Sequence, residues 1–524
     1  MQSSNSPNTR LQEGMRKLAR REHEALHLES IEMIKQNVRD PIPYFLLGNL
    51  AFEHQNHQKA LSLFEQAVAY DLSSPLYRAY LAKALTTLNR QSEAREAAIQ
   101  AAELKISDAH VADTVGVVLS RTGFHDLAAP LFERAVSLDP RPANFHYNLG
   151  SSLQFLGRFE DAKASYLNAI QRDESLHRAW SSLVSLTKQT DSNHHLDKLE
   201  ALFATNSGST DARLHYGHAI AKTLEDLGRF EESLDWLGRA KEKKRAEIQF
   251  DMEKELQHFQ AAQGTLTPAT KNSVQTAEEA PIFIVGLPRT GTTLVDRILS
   301  SHDDVVSAGE LNTFAGLIKK ATATTSNLVL DGETLLAADE VDLAAVGRAY
   351  LNDTAALAKG AKRFTDKMPL NFFYAGLIHR ALPNARIVAL RRDPMDSCLS
   401  NYRQLFATGF SYYNYTFDLS DTAQFYRAFD DLMTHWRSVI PNDRFLEIQY
   451  EDIVFHQERE TRRLLEFCDL SWDEKCLRFH ENDAPVSTAS SVQVRQPLYS
   501  GSIGRWKRYG GALSSLAEEL HPLV

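Results

Sequence analysis

Starting at about residue 41, the chain repeats itself every 34 residues. The pair Leu47-Gly48 returns as Leu81-Ala82, Val115-Gly116 and Leu149-Gly150. Thirteen positions after the first of each pair stands Ala60, Ala94, Ala128 or Ala162, and seven further on Ala67, Ala101, Ala135 or Ala169. Between these alanines a larger residue comes in three of the four units, Phe64, Phe132 and Tyr166, with Ala98 the exception. A period of this length means one helix hairpin per unit, which buries its apolar face only by stacking on the next. The alanines let the two helices of a hairpin approach closely, and the aromatic plugs the gap toward the neighbouring unit. Gly123 and Gly157 supply turns, and Pro140 stops helix continuation.

The pattern resembles the tetratricopeptide repeat. A fifth, less regular unit begins near His177, and a further one, Leu214 to Glu247, keeps Gly228-Arg229-Phe230, Leu237 and Ala240. Residues 1–247 are therefore read as a helical repeat domain, with looser helices before the array. They are expected to fold independently, so that a chain starting near residue 270 still binds its ligand. Such solenoids bind peptides or proteins on their concave face. The alternative is that the array caps the second domain or mediates a homodimer. Residues 248–280 turn polar, ending Gln275-Thr-Ala-Glu-Glu-Ala280, and are read as a linker with one short helix.

Composition excludes several classes. A formal charge of −10 argues against a general nucleic-acid binder, whose footprint would be basic. Cys398, Cys468 and Cys476 are too few and too scattered for a disulfide framework or a zinc site, which fits a reducing compartment. Met1 to Arg21 is polar without an apolar h-region, so no secretory signal is expected. No apolar run approaches the roughly 20 residues of a membrane span. A cytoplasmic location is expected.

From Pro281 the pattern changes to alternating strands and helices, which suggests a parallel sheet. Candidate strands are 282–285, 363–365, 386–390 and 445–449. The first runs into Gly286-Leu-Pro-Arg-Thr-Gly-Thr-Thr293, where a glycine turn opens an amphipathic helix. Free backbone N–H groups and the positive end of a helix dipole make such a junction an anion cradle. The spacing is that of a Walker A loop, except that Thr292 stands where the lysine belongs. Arg289, inside the turn, is the replacement cation. In open α/β sheets ligands sit at the carboxyl ends of the strands. There the chain carries Ser307-Ala-Gly-Glu310, Asp366-Lys-Met-Pro369, Arg391-Arg-Asp-Pro-Met-Asp-Ser397 and Tyr450-Glu-Asp452. Between Ala361 and Phe406 stand eight Lys/Arg and three Asp/Glu, so an acidic chain is locally basic where an anionic ligand is expected.

These residues carry a second resemblance. The Pro288-Arg-Thr-Gly-Thr-Thr293 loop resembles the 5′-phosphosulfate loop of sulfotransferases that use 3′-phosphoadenosine 5′-phosphosulfate (PAPS). Arg392 and Ser400, eight apart, resemble that family's 3′-phosphate motif. The arrangement is most similar to the tyrosylprotein sulfotransferase branch and to bacterial sulfotransferases fused to tetratricopeptide repeats. It covers about residues 281 to 510. The implied fold is an N-terminal tetratricopeptide-repeat α-solenoid followed by a P-loop-like, parallel-sheet α/β sulfotransferase domain over residues 281–524. The resemblance implies that Arg289, Thr290, Gly291, Thr292 and Thr293 hold the 5′-phosphate and sulfate, and that Arg392 and Ser400 hold the 3′-phosphate. Tyr450, Ser490 and Arg505 match nucleotide contacts, Arg505 standing in for a lysine. Lys367 matches a catalytic lysine on the bridging oxygen of the leaving phosphate, and Glu310 the general base. The branch usually shows two adjacent acids where this chain has Gly309-Glu310. No metal is implied. The expected acceptor is a hydroxyl, on a protein tyrosine, a saccharide or a small alcohol, and the repeats tilt the expectation toward a peptide or protein.

Each residue also has a plainer reading. Glu310 is then a helix cap or surface acid, Lys367 the partner of Asp366 or Asp393, Ser400 a helix contact and Tyr450 a buried aromatic. Arg391 is read as a surface cation and His302 as structural. Tyr412-Tyr-Asn-Tyr415 either lines the acceptor entrance or forms an exposed aromatic loop. Two competing functions remain: a P-loop kinase or NTPase, for which the lysine at position 292 is missing, and a repeat scaffold with an inactive sulfotransferase-like domain.

Overall fold

A computed structural model of the chain describes residues 6–267, 281–326, 328–358, 360–484, 486, 488 and 492–524. The chain forms two compact units, Met1–Leu183 and Val184–Val524.

In the first unit the helices Pro7–Ala19 and His23–Gln36 precede four hairpins: Pro41–Glu53 with His57–Tyr70, Pro75–Thr87 with Gln91–Ala102, Ala109–Arg121 with His125–Leu138, and Ala143–Phe155 with Phe159–Arg172. Three of the leading helices start on side-chain caps that keep the repeat period, Asp40 accepting from Ile42 N, Ser74 from Tyr77 N and Asp108 from Val111 N. Each such cap contributes about 1 kcal/mol. All eight repeat alanines are fully buried. Packing also explains the exception at Ala98. A methyl on Gly48 would come within 2.5 Å of the Phe64 ring, and Gly116 and Gly150 stand against Phe132 and Tyr166 in the same way. The second repeat has Ala82 at the glycine position, and its counterpart shrinks to Ala98, both with no exposure. A larger residue at the glycine position thus goes with a smaller one at the aromatic position, in keeping with a close-packed interior.

The second unit is built on five strands, β1 Ile282–Gly286, β2 Val305–Ser307, β3 Arg363–Asp366, β4 Arg386–Arg391 and β5 Phe445–Gln449. They pair in parallel in the order β2-β3-β1-β4-β5, with β1 and β4 in register from Ile282↔Arg386 to Gly286↔Leu390. β2 was not expected. Val305-Val-Ser307 is too short to show alternation, yet it pairs with β3 from Val305↔Arg363 to Ser307↔Thr365. Every residue of β1 is buried. Phe283 and Val285 face a core shared with Phe372, Phe425, Phe429 and Trp436, whereas Ile282 and Ile284 face Leu294, Ile298 and Leu464 on the other side. Strands β2 and β3 lie on one side of β1, and β4 and β5 on the other. The carboxyl end of β1 is thus the topological switch point where open sheets bind ligands. No helix among the described residues is long and apolar enough to cross a membrane.

Two segments assigned by sequence to the repeats and the linker pack within this second unit. The helix Met252–Gly264, expected in the linker, buries Phe259, Ala261 and Ala262, with the Phe259 ring 4.6 Å from Phe373 and 4.9 Å from Phe425. The rest of the expected linker, residues 268–280, lies outside the described residues. The hairpin Thr210–Asp226 and Phe230–Glu247 is held there as well. Lys241 Nζ donates to the Thr416 carbonyl at 2.6 Å, Arg245 pairs with Asp421 at 2.6 Å, and the Phe230 ring lies 5.4 Å from Tyr509. The compact boundary accordingly falls at residue 183, not 247.

This packing reverses the expectation for a shortened chain. One beginning at residue 184 is expected to melt as a single cooperative unit. One beginning near residue 270 loses Phe259, whose removal alone costs about 3–5 kcal/mol, together with the hairpin's ion pairs and hydrogen bonds. Circular dichroism melting of both chains checks this. A shorter chain that melts cooperatively at the same temperature as the longer would contradict it.

Candidate functional site

The turn after β1 is shaped by its own side chains. Thr290 Oγ1 donates to the Leu287 carbonyl at 2.6 Å, Arg289 takes a left-handed φ of 68° and Gly291 a φ of 104°. Gly291 also allows a close approach, since a Cβ there would lie 2.7 Å from the Tyr450 ring. The helix Thr292–Ser300 starts directly after it, and no described side chain caps that start. Its first N–H groups therefore remain available to a ligand. Thr290, Thr292 and Thr293 are buried. Thr293 Oγ1 is 3.2 Å from Thr488 Oγ1, and the half-buried Arg289 donates to Gln493 Oε1 at 3.0 Å. Burial, and then the neighbouring guanidinium groups of Arg392 and Arg403, pull Arg289 down to about 10. It stays charged at neutral pH.

The turn after β4 brings the second cation alongside. Arg392 is buried, donates to the Arg289 carbonyl at 3.0 Å and to the Ser502 carbonyl at 2.6 Å, and sits 4.9 Å over the Tyr450 ring. Its Nε is buried without a partner among the described residues. Tyr450 opens the turn after β5, and its hydroxyl meets Ser502 Oγ at 2.8 Å. The helix Pro394–Arg403 follows Arg392. Ser400 on it is partly exposed and makes no hydrogen bond among the described residues, while its neighbour Asn401 donates to the Pro288 carbonyl at 2.8 Å. Arg505 is committed elsewhere, to Glu225 at 2.8 Å. Ser490 lies outside the described residues. Arg391 is not the surface cation expected of it: it is largely buried and paired with Asp430 and Glu447.

The ends of β2 and β3 carry the other two candidates, and the structure joins them. The Lys367 ammonium, almost wholly buried, donates to Glu310, whose side chain is 37% exposed. Two backbone bonds align them, Ala308 N to the Thr365 carbonyl at 2.9 Å and Lys367 N to the Gly309 carbonyl at 2.8 Å. Lys367 thus pairs with neither Asp366 nor Asp393. Asp366 accepts from the Tyr350 hydroxyl at 2.8 Å and is pushed up to about 7 by burial. Asp296, on the helix Thr292–Ser300, accepts from Ser307 at 2.9 Å and from Thr365, so this helix is tied to both strands that carry the pair. Its charged form is disfavoured by burial and partly restored by Lys367.

The tyrosine-rich segment divides its work. Tyr415 is fully buried and bonds Asn401, and Tyr412 accepts from Val329 N at 3.1 Å. Tyr413 stacks on Phe406 at 4.5 Å, and burial plus the nearby Glu310 charge raise its hydroxyl well above the usual range. His302 is engaged at both ring nitrogens, by the Ser471 carbonyl and by Asp304 N, each at 3.0 Å, which is a structural role.

Sequence reasoning missed several residues. Asn401 fixes the turn after β1, and Ser502 and Gln493 meet the two arginines. Asp396 binds the backbone N–H of Gly504 at 2.6 Å and of Trp506 at 3.1 Å, drawing the C-terminal segment to the site. The one available signal was Asp396 itself, an acid one helical turn after Arg392.

Residues 281–474 match the sulfotransferase family, and residues 45–109 and 143–176 match tetratricopeptide repeats. A protein of Aquifex aeolicus (strain VF5) described as uncharacterized is 30% identical over 402 residues, covering 75% of this chain and 52% of that one. The protein-tyrosine sulfotransferase of Drosophila melanogaster is 28% identical over 244 residues, covering 43% and 46%. The chain thus spans about half the length of these two relatives. The sulfotransferase domain of the Synechococcus PCC 7002 olefin synthase superposes with a TM-score of 0.33 at 19% identity, covering 48% of this chain and 98% of that one.

Proposed function

For a chain that carries a sulfotransferase-family domain over residues 281–474 behind tetratricopeptide repeats, we propose transfer of a sulfuryl group from PAPS to a hydroxyl acceptor. PAPS is the donor this family generally uses. What carries the reading is Arg392, a buried guanidinium touching the backbone of the phosphate turn with its Nε unpartnered among the described residues. It supplies a second anion subsite beside the first, which a 3′-phosphate needs and a nucleoside diphosphate does not. A helix start that no described side chain caps, a glycine pressed on Tyr450 and two neighbouring arginines fit a doubly phosphorylated nucleotide.

On this reading the turn Arg289–Thr293 would hold the 5′-phosphate and sulfate, Arg392 and Ser400 the 3′-phosphate, and Tyr450 the nucleotide. Ser490 and Arg505 keep only the support of the resemblance. PAPS supplies the sulfuryl group on a phosphate leaving group. Lys367, held in place by burial, meets the negative charge that builds on the leaving oxygen. Glu310, more exposed, accepts the proton of the acceptor hydroxyl. Positioning and fixed charge supply the rate, as in phosphoryl transfer. The acceptor we propose is a phenolic hydroxyl on a peptide. Two relatives are protein-tyrosine sulfotransferases, and Glu310 lies near Tyr413 with its stacked Phe406. The repeats would recruit that peptide. A kinase reading has no comparable support, since Thr292 replaces the Walker lysine.

Calorimetry tests the donor. Adenosine 3′,5′-bisphosphate is expected to bind about 10–100-fold tighter than ADP, the equivalent of one charged hydrogen-bonded contact at about 1.5–3 kcal/mol. Equal affinities would contradict the assignment of Arg392.

A further inference from the structure

Glu225 is a buried carboxylate in the last turn of the helix Thr210–Asp226, outside the family-matched segment. Two guanidinium groups converge on it. Arg403 donates to one of its oxygens, and Arg505 Nε lies 2.8 Å from the other. Arg403 ends the helix Pro394–Arg403 and Arg505 begins the helical turns Arg505–Leu513, two elements that flank the proposed nucleotide site. The first of these follows Arg392 and presents Ser400 and Asn401. Arg505 follows Ser502, whose carbonyl accepts from Arg392 and whose hydroxyl meets Tyr450. Burial alone would raise the Glu225 carboxyl, but Arg403 and then Arg505 outweigh it and hold the group below its ordinary range. Arg403 and Arg505 face each other with like charge, and Arg403 also bears on Arg289. Without a carboxylate between them, the two elements repel.

We propose that Glu225 is a positioning residue of the donor site: it clamps Arg403 to Arg505 and thereby sets the spacing of Arg392, Ser400 and Ser502 around the 3′-phosphate. The inference rests on the sulfotransferase reading above. It assigns Arg505 a role through Glu225 rather than on the nucleotide, and it makes a helix from the repeat-like half part of the donor site. Glu225 touches no reacting atom, so its loss should weaken donor binding and spare turnover at saturation.

The test is a double-mutant cycle in the full-length protein, with adenosine 3′,5′-bisphosphate as the calorimetric probe. Glu225→Gln and Arg505→Gln are each expected to weaken binding about tenfold, and the double variant to be no more than about threefold weaker than the worse single one, because both remove the same clamp. Turnover of Glu225→Gln at saturating PAPS is expected to stay within about threefold of the parent. If Glu225→Gln does not fold, Glu225→Asp takes its place in the cycle. Unchanged binding in the Glu225 variant would overturn the inference. So would losses that multiply in the double variant, which mark Arg505 as an independent nucleotide contact, or turnover that falls in step with affinity. Absence of binding by the parent protein overturns the sulfotransferase reading and this inference with it, whereas binding by the parent and by every variant alike overturns the inference alone.

Discussion

Glu310→Gln is expected to lower turnover by roughly 10²–10⁴, the usual range for loss of a general base, while leaving the nucleotide bound almost as before. The substitution keeps the volume and the hydrogen bond from Lys367 but removes the carboxylate proposed to take the acceptor's proton. Glu310 is the exposed member of the pair, so the acceptor can reach it from solvent while Lys367 stays on the protein side. Single-turnover kinetics beside calorimetry separates the two effects. If nucleotide affinity falls together with turnover, Glu310 serves to position Lys367, and the proton goes elsewhere. His302 is not that alternative, since both its ring nitrogens are occupied.

Lys367→Ala and, separately, Arg289→Ala are each expected to cost about 10²–10³ in turnover, or about 2.7–4 kcal/mol of stabilisation of developing charge. The two should differ in binding. Arg289 lies in the turn proposed for the 5′-phosphosulfate, so its loss should also weaken the nucleotide. Lys367 bonds Glu310, and its loss should leave the 3′-phosphate end untouched. Steady-state kinetics with each variant, after melting curves establish that both fold, gives the comparison. Near-normal turnover in either contradicts its assigned charge role.

Much of this site was legible in the chain because its signals are local. A strand, a glycine turn and a helix start lie within 14 consecutive residues from Pro281 to Leu294, and the repeat writes its own packing into positions 34 apart. Even the irregular Ala98 is explained by its paired Ala82. What stayed hidden depends on pairings across the fold. Val305–Ser307 is a strand only because β3 offers it an edge. The helix Met252–Gly264 reads as polar, since Phe259 is its one large side chain fully buried in the core, with Met252 and Leu256 packed partly against it. Glu225 and Arg505 are separated by most of the second unit's sequence, and nothing local in either links them. The same holds for Lys367 and Glu310: each was identified by motif, but their direct pairing follows from the β2–β3 register.

The central claim is sulfuryl transfer from PAPS. The most direct measurement incubates the purified full-length protein with PAPS labelled on sulfur, together with tyrosine-containing peptides, and follows the label. The expected result is label covalently attached to a tyrosine hydroxyl, formed with adenosine 3′,5′-bisphosphate in equal amount and lost in Glu310→Gln and Lys367→Ala. PAPS that binds but yields no labelled acceptor, from peptides or from a complete lysate, would contradict the claim and leave a nucleotide-binding repeat scaffold in its place.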